Sequence, residues 1–212
     1  SLELFEQEAK TLQQLSHPGI PRFVDYFQAE GRPYLAMEWV HGQNLQQWVA
    51  EKGPLSLEEA IATILQICDV LDYLHQQVPP YIHQDINPEN LIWRSSTFAS
   101  HTIALVGIPS LSLLEPGPQS SAQVYRAPEQ QQGQPVPPSD LYALGPTLIY
   151  LLTGKNPAEF YAHREQGYRL YPEYVPGLDV ALVVLIRKLT NPQPEDRYSS
   201  AKEVAEVLGG MI

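Results

Sequence analysis

Cysteine is nearly absent from this chain: Cys68 is the single one in 212 residues. A lone thiol excludes an internal disulfide and a Cys-based zinc site. Its place in an apolar helical run makes it a packing residue. Basic residues are scarce as well, with 13 Lys and Arg against 24 Asp and Glu, for a formal net charge of −11. That balance argues against nucleic acid, or an anionic membrane surface, as a partner. No apolar segment is long enough to span a bilayer, so membrane insertion is not expected, and nothing reads as a signal peptide; the expected location is cytoplasmic. Internal repeats and low-complexity tails are missing too.

What is present suits a globular fold. The hydrophobic content is 43%, and the length allows one large domain or two small lobes sharing a cleft. Leu4, Phe5, Leu12 and Leu15 recur at near-helical spacing, predicting an amphipathic helix over 2–15 that His17-Pro18-Gly19 ends. Segments 21–28 and 33–40 read as an antiparallel hairpin with a longer loop around Glu30-Gly31-Arg32, and His41-Gly42 marks a break. A short helix over 44–51 follows. Ser56 with Glu59 forms a capping box that opens a helix to about Gln77, closed by Pro79-Pro80. Thr102 to Val106 reads as a strand, and 107–138 has no convincing period, a length that points to function or mobility. Ser139 or Asp140 is expected to cap an apolar helix to Leu152, kinked by Pro146. Segment 155–178 reads mostly as loop. Asp179 to Leu189 is a helix, and Ser200 with Glu203 is a second capping box.

The chemistry concentrates at Tyr81-Ile82-His83-Gln84-Asp85-Ile86-Asn87-Pro88-Glu89-Asn90-Leu91-Ile92-Trp93. An apolar approach leads into a polar loop carrying an imidazole, a carboxylate and two amides. Asp85 can accept a proton from a hydroxyl, and Asn90 can contribute an oxygen to a metal. This stretch closely resembles the catalytic loop of protein kinases, written His-Arg-Asp-Leu-Lys-Pro-x-Asn in the Ser/Thr branch. Further motifs of that family occur in order: His17-Pro18-Gly19-Ile20, Tyr34-Leu35-Ala36-Met37-Glu38-Trp39-Val40 as a hinge strand, Ala127-Pro128-Glu129, Asp140-Leu141-Tyr142-Ala143-Leu144-Gly145, and Arg197. The flavour is closest to bacterial Ser/Thr kinases.

The resemblance implies an α+β, two-lobe protein-kinase-like fold. Residues 1–40 would be a partial N-lobe (the αC helix and the β4–β5 strands of the family), and 41–212 a mostly helical C-lobe with catalytic-loop region 81–93 and activation segment 107–129. Glu8 matches the helix glutamate that pairs with the nucleotide-binding lysine. Met37 resembles the gatekeeper, Glu38 and Val40 would offer backbone groups to an adenine ring, and Ile92 would be its floor. Glu129 and Arg197 match a buried structural ion pair, and Asp140 the residue that anchors the loop backbone. Leu12, Phe23, His83 and Ile108 fall where the family's stacked spine would lie.

Several expected parts differ. The start at Ser1-Leu2-Glu3, inside an amphipathic pattern, reads as a fragment boundary, so the Gly-rich loop and strand lysine would precede it. Gln84 replaces the loop Arg, and Asn87 the loop Lys. Gly107-Ile108-Pro109 stands where Asp-Phe-Gly would follow the strand, so Gly107 replaces the metal-binding Asp and leaves Asn90 a weak metal ligand. Losing one such electrostatic contact costs about 10²–10³ in rate. The expectation is therefore a pseudokinase that acts as a scaffold or allosteric module. Asp85 would be a vestigial base, Met37, Glu38, Val40 and Ile92 a vestigial adenine pocket, and His83 a structural residue; no cofactor is expected. The alternatives are a Ser/Thr protein kinase of weak or unusual activity, which would need ATP and Mg²⁺, and a non-catalytic ATP sensor. A protein partner, or another domain of a longer chain, is expected to cover the open edge of the hairpin.

Overall fold

The computed structural model describes residues 2–94, 102–107, 121–165 and 167–211. Helix α1 (Leu2–Gln14) buries Phe5, Ala9 and Leu12, spaced one turn apart on one face. That face meets a hairpin of β1 (Phe23–Ala29) and β2 (Arg32–Met37), where Phe5 contacts Tyr26 at 5.7 Å between ring centres. The expected longer hairpin loop is corrected to a two-residue turn. Ala29 pairs with Arg32, and Glu30 and Gly31 both have positive φ, at 51° and 74°. Two left-handed residues match the strand twist, and Gly31 takes that conformation without a Cβ penalty. Outside this hairpin, β1 and β2 pair with no other described strand.

The segment after α1 ties it to the helical part of the molecule. The Ser16 backbone N–H donates to the Tyr73 hydroxyl at 2.8 Å, and the His17 ring nitrogen Nε2 lies 2.9 Å from an Asp69 carboxylate oxygen. The Gly19 carbonyl accepts from Leu105 N–H at 2.8 Å.

A second sheet has the antiparallel order β3 (Gly42–Asn44), β4 (Leu91–Arg94), β5 (Thr102–Leu105). The break expected at His41-Gly42 is thus the start of a strand. Three residues are too few to show period two, so pairing with β4 creates this strand. Helix α2 (Leu45–Lys52) follows directly, capped by Asn44, whose side chain accepts from Gln47 N–H at 2.8 Å.

Helix α3 (Leu57–His75) runs through the core, and both halves of its capping box form, at 3.2 and 2.9 Å. It packs against α5 (Pro137–Thr153), which follows a one-turn helix α4 (Pro128–Gln131). The expected start of α5 at Ser139 or Asp140 is corrected to Pro137, whose fixed φ suits the first helical turn. Ser139 instead accepts from the Val136 N–H at 3.0 Å, and Asp140 is committed elsewhere. The helix continues past the buried Pro146.

Segment 155–178 is not mostly loop. It holds a hairpin of β6 (Tyr161–Arg164) and β7 (Gly167–Leu170). Charged, four-residue strands carry little apolar alternation; stacking of Tyr161 on Tyr168 and a Tyr142–Tyr161 hydroxyl contact at 2.9 Å hold them. Helices α6 (Val180–Leu189) and α7 (Ala201–Gly209) close the fold. Ser200 caps α7 at 3.1 Å as expected, but Glu203 reaches past it to the Ser199 backbone and hydroxyl at 2.7 and 2.8 Å. Among the described residues, no helix is long and apolar enough to cross a membrane.

Candidate active site

The polar loop begins where α3 ends. Tyr81 N–H donates to the Leu74 carbonyl at 3.0 Å, which fixes the chain's exit from the helix. Two residues later the loop is clamped from α5. The Asp140 carboxylate accepts from His83 N–H at 2.9 Å and Gln84 N–H at 2.8 Å, and lies 2.8 Å from His75 Nε2. Asp140 is 1% exposed. A carboxylate so enclosed is retained only because partners replace its water.

Gln84 sits at φ 64°, a left-handed conformation unusual for a residue with a side chain. Its carbonyl accepts from the Gln130 side chain at 3.0 Å. Burial pushes the His83 imidazole below its ordinary pKa, against the opposing pull of Asp140 and Asp85, so the ring is neutral near pH 7.

Asp85 lies at the centre. One carboxylate oxygen accepts from Asn87 Nδ2 at 3.1 Å and the other from Asn90 Nδ2 at 2.9 Å. The same two amides also reach the Asp85 carbonyl, at 3.2 and 2.8 Å. Asn87 is buried and used twice, because its side-chain oxygen accepts from Glu89 N–H at 3.0 Å and caps the turn Pro88–Asn90. A neutral amide at 87 therefore braces the loop, where a lysine would present a charge. Asn90 is held in turn by Val106 N–H, which donates to its carbonyl at 2.8 Å. Gly107 comes next, at φ 103°, and a Cβ there would lie 3.0 Å from Asn90 Nδ2.

Met37, Glu38, Val40 and Ile92 line one cavity of about 400 Å³, which runs on to Leu12, Tyr81, His83 and Gly107. The hinge-like residues and the approach to the loop thus share a cleft. The Glu38 backbone N–H donates to the Arg22 carbonyl at 2.7 Å. Its carboxylate is held below the ordinary range by the Arg22 backbone and by Arg94, whose guanidinium donates at 3.4 Å. Glu8 accepts from the hydroxyl of Tyr81, itself a residue of that cavity's lining, at 3.3 Å. Neither Tyr81 nor Arg94 carries a spacing signal in the sequence, since each meets its partner only through the fold.

Glu129 and Arg197 meet face to face, with guanidinium nitrogens 2.6 and 2.9 Å from the two carboxylate oxygens. Ser139 adds a third bond to Glu129 at 2.6 Å. Burial alone would raise the Glu129 carboxyl, yet the bonds from Arg197 and Ser139 hold it below its ordinary value. Of the expected spine residues, Leu12 and His83 are buried and Phe23 half-buried. Ile108, with the rest of 108–120 in the expected activation segment, lies outside the described residues.

Chemically, the loop can accept a proton at Asp85 beside an apolar cleft able to take a planar heterocycle. The metal test is less favourable. Among the described residues no group of three or more His, Cys, Asp or Glu could hold an ion. Asp85 and Asn90 together supply one carboxylate and one amide oxygen, a set that does not fit a resident Mg²⁺.

Comparison with known proteins gives these features a family. The protein kinase domain family matches residues 2–208. Serine/threonine-protein kinase B of Synechocystis sp. is 33% identical over 225 residues, covering 97% of this chain and 38% of that protein. Serine/threonine-protein kinase PknA of Nostoc sp. is 35% identical over 217 residues, covering 97% and 38%. The crystal structure of the Mycobacterium tuberculosis PknI kinase domain superposes with a TM-score of 0.77 at 27% identity, covering 100% of this chain and 79% of that one. The chain spans about two fifths of the length of the curated relatives it matches. Relatives named as Ser/Thr kinases favour the kinase alternative over the inactive module that the substitutions suggest, and they give no support to leaning against an enzyme. The chain belongs to the protein kinase domain family, with bacterial Ser/Thr kinases as its homologues.

Proposed function

We propose that this chain is the larger part of a slow Ser/Thr protein kinase domain, working within a longer protein. Residues 1–40 belong to its N-lobe and residues 41–212 to its C-lobe. The observation that carries this reading is the shared cleft. Met37, Glu38, Val40 and Ile92 line the same cavity that reaches His83, and Asp85 is held in shape beside it by Asn87 and Asn90. The relatives' names support it. In this reading the adenine ring packs on Ile92 below Met37, with backbone groups of Glu38 and Val40 at its edge. Asp85 takes the proton of a Ser or Thr hydroxyl as that oxygen attacks the γ-phosphorus and ADP leaves. Asn87 and Asn90 orient the carboxylate. Asp140 and His83 hold the loop, and Glu129 with Arg197 holds the segment leading to α5. The kinase relatives imply ATP and Mg²⁺; the residues here do not fit a resident ion, so no step is assigned to metal held by the chain.

A second reading is favoured by one observation. Gly107 brings no carboxylate against Asn90, and Asn87 brings no cation. A domain with those substitutions can act by binding a partner, or by sensing ATP without transfer. Nucleotide binding separates kinase and sensor from a pure scaffold. Calorimetric titration of the intact protein with MgATP is expected to give saturable binding that Ile92→Trp removes by filling the cleft. A wild-type protein that takes up no MgATP, with its fold intact by circular dichroism, would overturn the kinase reading and leave the scaffold.

A further inference from the structure

Glu8 on α1 is the residue that the family resemblance pairs with a nucleotide-binding lysine, and within the structure it has a partner of its own. The Tyr81 hydroxyl donates to Glu8 Oε1 at 3.3 Å, across 73 positions of sequence. The two ends of this contact are tied differently. Tyr81 is anchored through its backbone to Leu74, and the Asp140 clamp begins two residues later at His83. Glu8 sits midway along a 13-residue helix; the next ties toward the helical part among the described residues come after its C-terminal end, at Ser16 and His17. Burial, reinforced by the Glu8 carboxylate, raises the Tyr81 phenol above its ordinary range, so it stays a protonated donor at physiological pH. Tyr81 also lines the cleft, as does Leu12 of α1, one helical turn from Glu8.

We propose that Tyr81 is a positioning residue, whose hydroxyl holds Glu8, and with it α1, against the base of the catalytic loop and so sets the depth of the cleft. The contact makes α1 the movable wall of the nucleotide site and Tyr81 its stop. A group that enters the cleft against Tyr81 displaces its side chain and loosens α1; a cation reaching Glu8 from another segment shares the carboxylate with Tyr81, using its second oxygen.

Amide hydrogen exchange on the intact protein tests this without reference to activity. Removing the hydroxyl in Tyr81→Phe is expected to speed exchange of the α1 amides roughly three- to tenfold, the loss set by one net hydrogen bond, with α3 and α5 unchanged. Glu8→Ala is expected to match it, Glu8→Gln to stay near wild type because its amide oxygen still accepts, and the Tyr81→Phe/Glu8→Ala pair to be no worse than either alone. Unchanged α1 exchange in Tyr81→Phe, or fully additive effects in the pair, would overturn the proposal. A second arm rests on the kinase reading. Tyr81→Phe should raise KM for MgATP about threefold or more while kcat stays within about twofold, the pattern of lost binding rather than lost chemistry. Absence of any activity in the wild type would count against the kinase reading, while the exchange result still decides the role of Tyr81.

Discussion

Arg197 shows how much a single side chain organises here. Its five donors meet Glu129 twice and the carbonyls of Asn191, Pro138 and Pro192, and its guanidinium lies 5.0 Å from the Tyr142 ring centre. With the Arg197 side chain at 0% exposure and Glu129 at 11%, this is a buried pair. Such a pair adds little over an apolar replacement of both partners, but removing one strands a charge. Arg197→Met is therefore expected to cost about 3–5 kcal/mol in urea unfolding, and Glu129→Leu/Arg197→Met less than either single change. A loss below about 1 kcal/mol for Arg197→Met would contradict that account. The pair was legible in the sequence because both residues sit in motifs of fixed order. The Asp85 environment was legible only in part. Its identity follows from the motif, whereas Asn87 turning inward to brace it, and Gln84 adopting a left-handed backbone, depend on contacts made by Glu89 and Gln130.

Among the elements, the loop region over 81–93 is the one that reports on solution conditions. His83 sits inside it, buried and neutral, beneath the Asp140 clamp. Its folded pKa lies below the ordinary value of 6.5. Between the two values the unfolded chain binds the proton and the folded one does not, so stability rises with pH across that window and is lost as pH falls below about 6.5. Melting temperatures measured from pH 5 to 8 should decline on the acid side, and His83→Phe should flatten that limb; an unaltered limb in the variant would remove His83 as its cause. Long elements were readable in advance: α3 from its capping box and apolar spacing, α6 from Asp179 and its apolar run. The elements that the sequence does not reveal are short. Strand β3 exists because Gln43 pairs with Trp93, and β6–β7 because tyrosines stack, and neither cause leaves a period in the sequence. The start of α5 is not legible because Ser139 resembles a cap, while Pro137 sets the first turn and Ser139 serves Glu129.

On the scale of the whole molecule, the kinase reading rests on the cleft shared by the hinge residues and the loop. Six motifs in order made the fold legible, because a kinase core needs those residues at those places. Function was less legible, since the same motifs serve a working enzyme and an inert relative alike. The substitutions at 84, 87 and 107 argue for slowness, whereas the relatives argue for retained chemistry, and both converge on Asp85 as the residue that must act if anything does. The most direct measurement is the initial rate of phosphoryl transfer from labelled MgATP to a serine-bearing protein substrate, for the intact protein and its Asp85→Asn variant side by side. The kinase reading predicts a low but measurable wild-type rate that falls about 10²-fold or more in Asp85→Asn, with MgATP binding retained. Equal rates in the two proteins, or no transfer by a wild type that binds MgATP, would contradict it.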